Sequence, residues 1–146
     1  MNPGAIFFDT NFHFHDGESG EKLFVVLGSS KGVSVVAKTT SQSYGKGIAY
    51  GCQPDDRFHN FYLPVHSCYL KKNTWICLNE FYELKQSELL QKRFSGVVNH
   101  ICDLTPQITR ELQDCSLLSE DISIRQELVV NLCLVDPHSD KTTPVC

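Results

Sequence analysis

The chain has 146 residues, of which 41% are hydrophobic and 21% are charged, as expected for a single globular domain with a real core. Its apolar runs are far shorter than the roughly 20 residues that span a bilayer, and the N-terminus lacks the basic start and apolar stretch of a signal peptide. The formal net charge of −4 argues against a general nucleic-acid-binding protein, which normally carries a basic excess. We therefore expect a soluble, cytoplasmic protein with no membrane partner.

The first half of the chain carries the strand signals. Residues 4–9 predict a short apolar strand that starts at a glycine, and a polar loop over 11–21 follows it. Two runs rich in β-branched and aromatic residues, 23–27 and 33–37, flank turn-forming residues and predict an antiparallel hairpin with a loop over 28–32. Further strands are expected at 48–50, 60–65, 68–70, 74–78 and 81–84, the last of which could instead begin a turn.

In the second half of the chain, the sequence predicts helices before and after one more strand. Ser87 is expected to cap a short helix that runs to about Phe94 and is closed by Gly96. A strand over 97–102 follows. The sequence then changes to the helical patterns of the C-terminal third.

Thr105 and Pro106 predict the start of a helix, because threonine suits the N-cap and proline suits the first turn. Apolar residues at helical spacing extend this helix to about 117. A second helix, or alternatively a strand, is predicted from the cap-like residues 119–121 to about Val135. We expect the polar segment 136–146 to be disordered.

Seven cysteines are scattered along the chain without any CxxC pair. They are Cys52, Cys68, Cys77, Cys102, Cys115, Cys133 and Cys146. Several lie inside apolar runs, which favours buried free thiols in a reducing compartment over a disulfide framework or a zinc knuckle.

The open end of the predicted hairpin is the strongest candidate for a site. There Lys22 should lie beside Thr39 and Thr40, because the first residue of one strand meets the last residue of its antiparallel partner. Without a bulge Thr40 shares the face of Lys22, and a single bulge would give that place to Thr39. Since the lysines also concentrate in the first half of the chain, an anion-binding surface is expected on the β half.

The loop before the hairpin is chemically dense, with His13, His15, Asp16, Glu18 and Glu21 within nine residues. It could carry a general acid or base, bind a metal through the two histidines, or be a solvated surface loop. No further ligand follows at a fitting spacing, so we expect neither a metal nor a cofactor.

Five different short motifs follow one another along the chain. They are Gly4-Ala5-Ile6, Gly20-x-Lys22, Thr39-Thr40-Ser41-Gln42, Trp75-Ile76-Cys77-Leu78-Asn79-Glu80 and Thr105-Pro106-Gln107. In this order they resemble the PemK/MazF family of toxin endoribonucleases over roughly residues 4–115. The resemblance implies a mainly β chain with C-terminal helices, built on a small, curved SH3-like β-barrel over about 4–84. Helices and one strand over about 87–135 would complete a single domain, 1–135.

The resemblance also implies a function. Such proteins commonly form homodimers, cut single-stranded RNA without a metal and are neutralised by an antitoxin protein. Lys22 would stand where the family has a phosphate-stabilising arginine, and Thr39 where it has a threonine at the scissile bond. Glu18, then Asp16 and His15, are the candidates for the general base. The expected RNA contacts are His15, Asp16, Lys38, Thr40 and Gln42.

Departures from the family pattern keep other functions open. Lysine at position 22 supplies a point charge instead of the bidentate fork of arginine. A non-catalytic toxin of the same fold that docks on a protein, like a gyrase poison, is the main alternative, and a degenerate regulatory relative is the third. Trp75, Phe81 and Tyr82 could stack on bases, but aromatic residues at strand spacing are more often part of the core.

Overall fold

A computed structural model describes residues 1–139 and shows a mainly β chain with three α-helices, which confirms the predicted α+β class. The strands are β1 (Ala5–His13), β2 (Ser19–Ser30), β3 (Val33–Thr40), β4 (Gly51–Gln53), β5 (Asn60–Leu63), β6 (Thr74–Cys77), β7 (Tyr82–Lys85) and β8 (Val98–Asp103). The helices are α1 (Gln86–Phe94), α2 (Pro106–Leu117) and α3 (Ile124–Leu132), with one 3-10 turn at Ser67–Tyr69. Within the described residues, no helix has the length and apolarity needed to cross a bilayer.

The eight strands form one antiparallel sheet that does not close. Its order is β4-β5-β6-β3-β2-β1-β8, and β7 pairs with β3 beside the β6 contact. The end strands β4 and β8 do not pair with each other in the described part of the chain. The SH3-like barrel therefore stays a prediction, while the mainly β architecture is confirmed.

The β2–β3 hairpin is longer than predicted and is closed by a two-residue turn. Lys31 and Gly32 have φ values of 52° and 79°, the left-handed conformation that such turns require. The predicted five-residue loop is wrong, because residues on both of its sides continue the ladder until Ser30 pairs with Val33. A bulge between Val26 and Gly28 then shifts the register.

Beyond this bulge the ladder between β2 and β3 comes to its end, while on the other edge of β3 the partner changes from β7 to β6. Phe24 pairs with Lys38 at the last ladder position between β2 and β3, and Thr39 and Thr40 then pair with Ile76 and Trp75 of β6. The strand therefore leaves β2 just where the candidate residues lie. The end of β3, with β2 on one edge and β6 on the other, carries the candidate site.

Two apolar clusters lie on opposite faces of the sheet. One packs beneath α2 and α3 and includes Leu27, Leu112 and Val130, and the other packs against α1 and includes Phe24 and Tyr82. The interpretation of the aromatic residues as core is confirmed: Trp75, Phe81 and Tyr82 are each 4% exposed. A Cβ at Gly28, in the bulge, would lie 3.1 Å from the Cβ of Cys133, so glycine lets the C-terminal end of α3 approach β2 closely.

The predicted helix after Thr105 is confirmed over Pro106–Leu117, with the Thr105 side chain accepting a hydrogen bond from the Ile108 N–H. The other two helix starts are different. Lys85 occupies the N-cap of α1, so Ser87 lies inside the helix and does not cap it. Ser123 caps α3 in a reciprocal pair with Gln126, whereas residues 119–121 precede that helix.

Several other predicted strands and loops are absent or have different bounds in the structure. Residues 68–70 do not form a strand, because the chain there makes a 3-10 turn, and β4 begins at Gly51, after the strand expected at 48–50. The polar loop over 11–21 shortens to 14–18, since β1 and β2 both extend into it. Residues 136–139 form a turn in which Ser139 N–H donates to Asp136 O. The remainder of the predicted disordered tail, 140–146, lies outside the described residues.

The prediction of free thiols is wrong for five of the described cysteines, Cys133 among them. Cys52 is bonded to Cys115, and Cys68 is bonded to Cys102, across 63 and 34 positions of sequence. Such pairs form when the fold brings distant elements together, so the positions of the cysteines in the sequence do not predict which ones are bonded. Cys77 is free and buried, as predicted.

Alkylation should show this pairing directly. In denaturant without reductant, we expect iodoacetamide to modify Cys77 and to leave the five disulfide-bonded residues unmodified, because a disulfide sulfur is not a nucleophile. Peptide mass mapping measures the modification, and a reduced sample serves as the control. Modification of Cys52 or Cys68 in the unreduced sample would contradict the pairing.

Candidate anion-binding groove

Two adjoining cavities lie at the end of β3, where its ladder with β2 stops and its pairing with β6 begins. The larger groove has a volume of about 700 Å³ and the smaller groove about 280 Å³, and Lys22, Thr39 and Thr40 line both. The predicted meeting of the position-22 cation with the hydroxyls of residues 39 and 40 is thus present in the structure. It follows from the register of the β2–β3 hairpin, which brings the start of β2 beside the end of β3.

The grooves gather positive charge in a chain that is acidic as a whole. Five lysines line them, against two carboxylates: Lys22, Lys38, Lys46, Lys71 and Lys72, with Glu21 and Glu80. Cations concentrated in a concave surface create a positive potential that the net charge of −4 does not reveal. The site is therefore suited to an anionic ligand.

Lys22 is the half-buried cation between the two grooves. Burial lowers its pKa, and the nearby charge of Lys38 lowers it further. Its Nζ lies 6.0 Å from the centroid of the Phe14 ring, and it forms no ion pair with a carboxylate among the described residues. A cation in this situation gains from an incoming anion, because nothing in the described chain neutralises it.

Lys38 and Glu80 form an ion pair in the smaller groove. Burial by itself would lower the pKa of Lys38, but the hydrogen bond and the charge of Glu80 raise it above the ordinary value. Burial also raises the pKa of the neighbouring Cys77 thiol, so this thiol is protonated and is a poor nucleophile at neutral pH. The reactive groups of this groove are the lysines and the Glu80 carboxylate.

The two threonines differ in what they can offer a ligand. Thr39 is 5% exposed, and its hydroxyl donates a 3.1 Å hydrogen bond to the carbonyl of Leu23. The Thr40 hydroxyl accepts from the Gln42 N–H at 3.1 Å, and among the described residues its own hydrogen has no acceptor. Thr40 is therefore the better hydrogen-bond donor to an anion, although Thr39 lines the same surface.

The loop over 14–18 does not line either groove. The His15 ring stacks on Tyr82 at a centroid distance of 3.9 Å, and its Nε2 lies 2.8 Å from the carbonyl oxygen of Phe81. Asp16 accepts a hydrogen bond from the Glu18 N–H at the exposed tip of the β1–β2 hairpin. These contacts stabilise the loop.

Among the predicted site residues, Lys22, Lys38, Thr39 and Thr40 line the grooves. Glu18, His15, Asp16 and Gln42 are not among the lining residues. Glu80 is the carboxylate that the smaller groove brings beside Lys38, and the order of motifs in the sequence had placed it at the end of an apolar strand without assigning it a role. Its proximity to β3 depends on β6 pairing with Thr39 and Thr40, which no local pattern shows.

An aromatic rim borders the smaller groove. Tyr44 is 69% exposed, and the Nζ of Lys46 lies 5.2 Å from its ring centroid and 5.6 Å from that of Phe58. The loop that carries Tyr44 is held in place because the carbonyl of Gly47 accepts a 2.9 Å hydrogen bond from the indole of Trp75. Exposed aromatic faces beside lysines suit the stacking of nucleobases.

Lys71 and Lys72 also line the larger groove. They follow the 3-10 turn, and the Cys68–Cys102 disulfide ties this turn to β8. Leu70 and Ile101 give the same groove an apolar wall. The sequence placed these lysines in the basic half of the chain but could not show that they converge with Lys22.

Comparisons of the chain with protein-family models and with curated proteins find no match. The assignment of the site therefore rests on the arrangement of its own residues. That arrangement is a lysine-lined pair of grooves with one ion-paired carboxylate, one available hydroxyl and an aromatic rim.

Proposed function

We propose that the chain is an endoribonuclease of the PemK/MazF toxin type, which cuts single-stranded RNA lying along the two grooves. The observation that carries this proposal is the convergence of five lysines on one concave surface of an acidic chain. A polyanion with evenly spaced phosphates can engage several of these cations at once, which a small anion cannot. The aromatic rim at Tyr44 and Phe58 adds faces on which unpaired bases can stack.

The groups present can carry out cleavage by the ribose 2′-hydroxyl. In this reaction the 2′-oxygen attacks the adjacent phosphorus, and negative charge builds on the five-coordinate phosphate. The 5′-oxygen then leaves with the electron pair of the broken P–O bond and takes a proton from water. Lys22 stabilises that charge, and Thr40 donates a hydrogen bond to it. Glu80 replaces Glu18 as our candidate for the base that takes the 2′-hydroxyl proton, because it lies in the groove and Lys38 orients it.

The same charge pattern supports cleavage without a divalent cation. Ammonium groups outnumber carboxylates in the grooves, and they would repel a metal ion while supplying the positive charge that a metal otherwise provides. Homodimerisation, an antitoxin partner and a cytoplasmic location belong to this proposal as well. Disulfides are unusual in the cytoplasm, so this location implies that the Cys52–Cys115 and Cys68–Cys102 bonds are reduced there.

Incubation with mixed-sequence RNA tests the proposal. We expect cuts that persist in EDTA, that leave 2′,3′-cyclic phosphate and 5′-hydroxyl ends, and that are absent from RNA carrying 2′-O-methyl groups. Electrophoresis detects the cuts, and mass spectrometry identifies the ends. Intact RNA, or cuts that EDTA abolishes, would overturn the proposed chemistry.

A second function is favoured by a different surface. Ile124, Leu128 and Leu132 recur on one face of α3 and are 81%, 61% and 57% exposed. An apolar stripe of this kind suits a protein contact, and the hydroxyl of Thr39 is already committed to Leu23. A non-catalytic toxin that docks on a protein would therefore arrest growth on expression while leaving RNA intact in the same assay.

A further inference from the structure

Three potential metal ligands meet at the end of the sheet opposite β8. Cys52 lies on the edge strand β4, His59 directly precedes β5, and Cys115 lies on α2. Their ligand atoms all lie within 4.8 Å of one another, and His59 Nε2 is 3.3 Å from Cys115 Sγ. No other group of three such ligands occurs in the part of the chain that the structure describes.

We propose that this cluster is a redox-gated zinc site, in which reduction of the Cys52–Cys115 disulfide creates two thiolate ligands that bind Zn²⁺ together with His59. Two sulfurs and one imidazole are ligands that zinc prefers, and they fit its tetrahedral geometry. A fourth position would remain for water. The proposal concerns a surface apart from the lysine-lined grooves and does not depend on the proposed ribonuclease activity.

The geometry accommodates the change of state. In a tetrahedral site with Zn–S bonds of about 2.3 Å, the two sulfurs would lie about 3.8 Å apart. The Cα atoms of Cys52 and Cys115 are separated by 5.6 Å, so the opened sulfurs can reach that spacing by side-chain rotation. Cys52 is exposed, which gives a reductant access to the bond, while Cys115 is buried and holds its position on α2.

The chemistry of the conversion balances. A dithiol reductant transfers two electrons and two protons to the Cys52–Cys115 bond and becomes a disulfide itself. The two cysteine thiols then release their protons as Zn²⁺ binds, and neutral His59 contributes its ring nitrogen. Each chain therefore takes up one zinc ion and releases two protons.

Replacing the disulfide by zinc would preserve a cross-link between two elements of the fold. The disulfide links α2 to β4, a strand of three residues that pairs only with β5 among the described strands. In a reducing compartment the disulfide opens, and zinc would then connect the same two elements. The fold would thus keep this cross-link in oxidising and in reducing compartments.

Cobalt binding to the full chain tests the proposal, because Co²⁺ reports its ligands by absorption. The protein is reduced with a phosphine, the reductant is removed without oxygen, and Co²⁺ is titrated in before Zn²⁺ is added. We expect one equivalent to bind with thiolate-to-cobalt charge transfer and the strong d–d bands of a tetrahedral site, and zinc should displace it. The oxidised chain should show neither feature.

Substitutions identify the ligands. We expect His59→Gln to weaken Co²⁺ binding by at least about 100-fold, since even groups outside the coordination shell change metal affinity 10–100-fold. The matched control replaces both Cys68 and Cys102 by serine, which removes the disulfide between them and should leave the cobalt spectrum unchanged.

Three results would overturn the site. They are a reduced wild-type chain without charge-transfer bands, equal binding by the His59→Gln variant, and loss of the bands in the control. Circular dichroism is recorded throughout, because reduction could unfold the chain. If it does, zinc should restore the native signal in wild type, and failure to do so would also count against the proposal.

Discussion

Replacing Lys22 by methionine will lower the rate of RNA cleavage by about 10²–10³-fold, the usual cost of removing one group that stabilises transition-state charge. Methionine keeps much of the length and apolar stem of lysine while removing the ammonium that lies between the two grooves. The rate is measured under single-turnover conditions in EDTA. Lys31→Met is the matched control, because it removes the same charge from the exposed turn at the other end of the hairpin.

The same variant should be more stable than the wild type at neutral pH. Burial lowers the pKa of Lys22, so the folded chain binds this proton less tightly than the unfolded chain does. The cost of the buried charge is present in full below the folded-state pKa and disappears as the pH rises toward the unfolded value of 10.5. Denaturant unfolding should therefore show a higher free energy of unfolding for Lys22→Met than for the wild type at neutral pH, and this difference should shrink as the pH rises toward 10.5.

These two effects separate function from folding. A residue that merely supports the structure would lower activity and stability together when it is replaced. Full activity of Lys22→Met, or a loss equal to that of Lys31→Met, would remove Lys22 from the proposed mechanism. A lower stability at neutral pH would instead contradict the cost assigned to its burial.

Replacing Gln113 by alanine will lower the free energy of unfolding by about 3 kcal/mol, because it removes three buried hydrogen bonds and leaves a cavity. The Gln113 side chain is fully buried on α2. Its amide nitrogen donates to the carbonyls of Leu27 and Cys133 at 3.0 and 2.8 Å, and its oxygen accepts from the Val135 N–H at 3.0 Å. One side chain thus joins the sheet, α2 and the segment after α3.

Urea unfolding measures this change, with the slope checked for two-state behaviour. Gln107→Ala on the same helix is the control, since that residue is exposed and should change stability by less than about 0.5 kcal/mol. Gln113→Met separates the two contributions, because it fills most of the space but satisfies none of the hydrogen bonds. A loss below about 1 kcal/mol for Gln113→Ala would contradict the role of this amide.

The elements that could be predicted are those whose signal is local. Helix α2 has the predicted bounds because Thr105 and Pro106 mark its start and its apolar residues recur at helical spacing. The β2–β3 hairpin was predicted from two β-rich runs, although the turn at Lys31 and Gly32 proved much tighter than expected. A short 3-10 turn and the cap of α1 carry weaker signals, and both were missed.

The features that could not be predicted depend on contacts between distant segments. The disulfides join residues 63 and 34 positions apart, and no spacing pattern selects those partners. In the grooves, the meeting of Lys22 with Thr39 and Thr40 follows from one hairpin and was predicted. Glu80, Lys46 and Lys71 line the grooves because β6 and two loops pack around that hairpin. Their positions could not be predicted from the sequence.

The most direct test of the central claim asks which lysines meet RNA. The lysines are methylated with carbon-13, which keeps their charge, and each signal is assigned by a single Lys→Arg substitution. Mixed-sequence 2′-O-methyl RNA, which cannot be cut, is then added while NMR spectra are recorded. The account predicts shifts for the five groove lysines, Lys22, Lys38, Lys46, Lys71 and Lys72, and unchanged signals for Lys31, Lys85 and Lys92. Shifts confined to the second set, or no shift at any groove lysine, would contradict it.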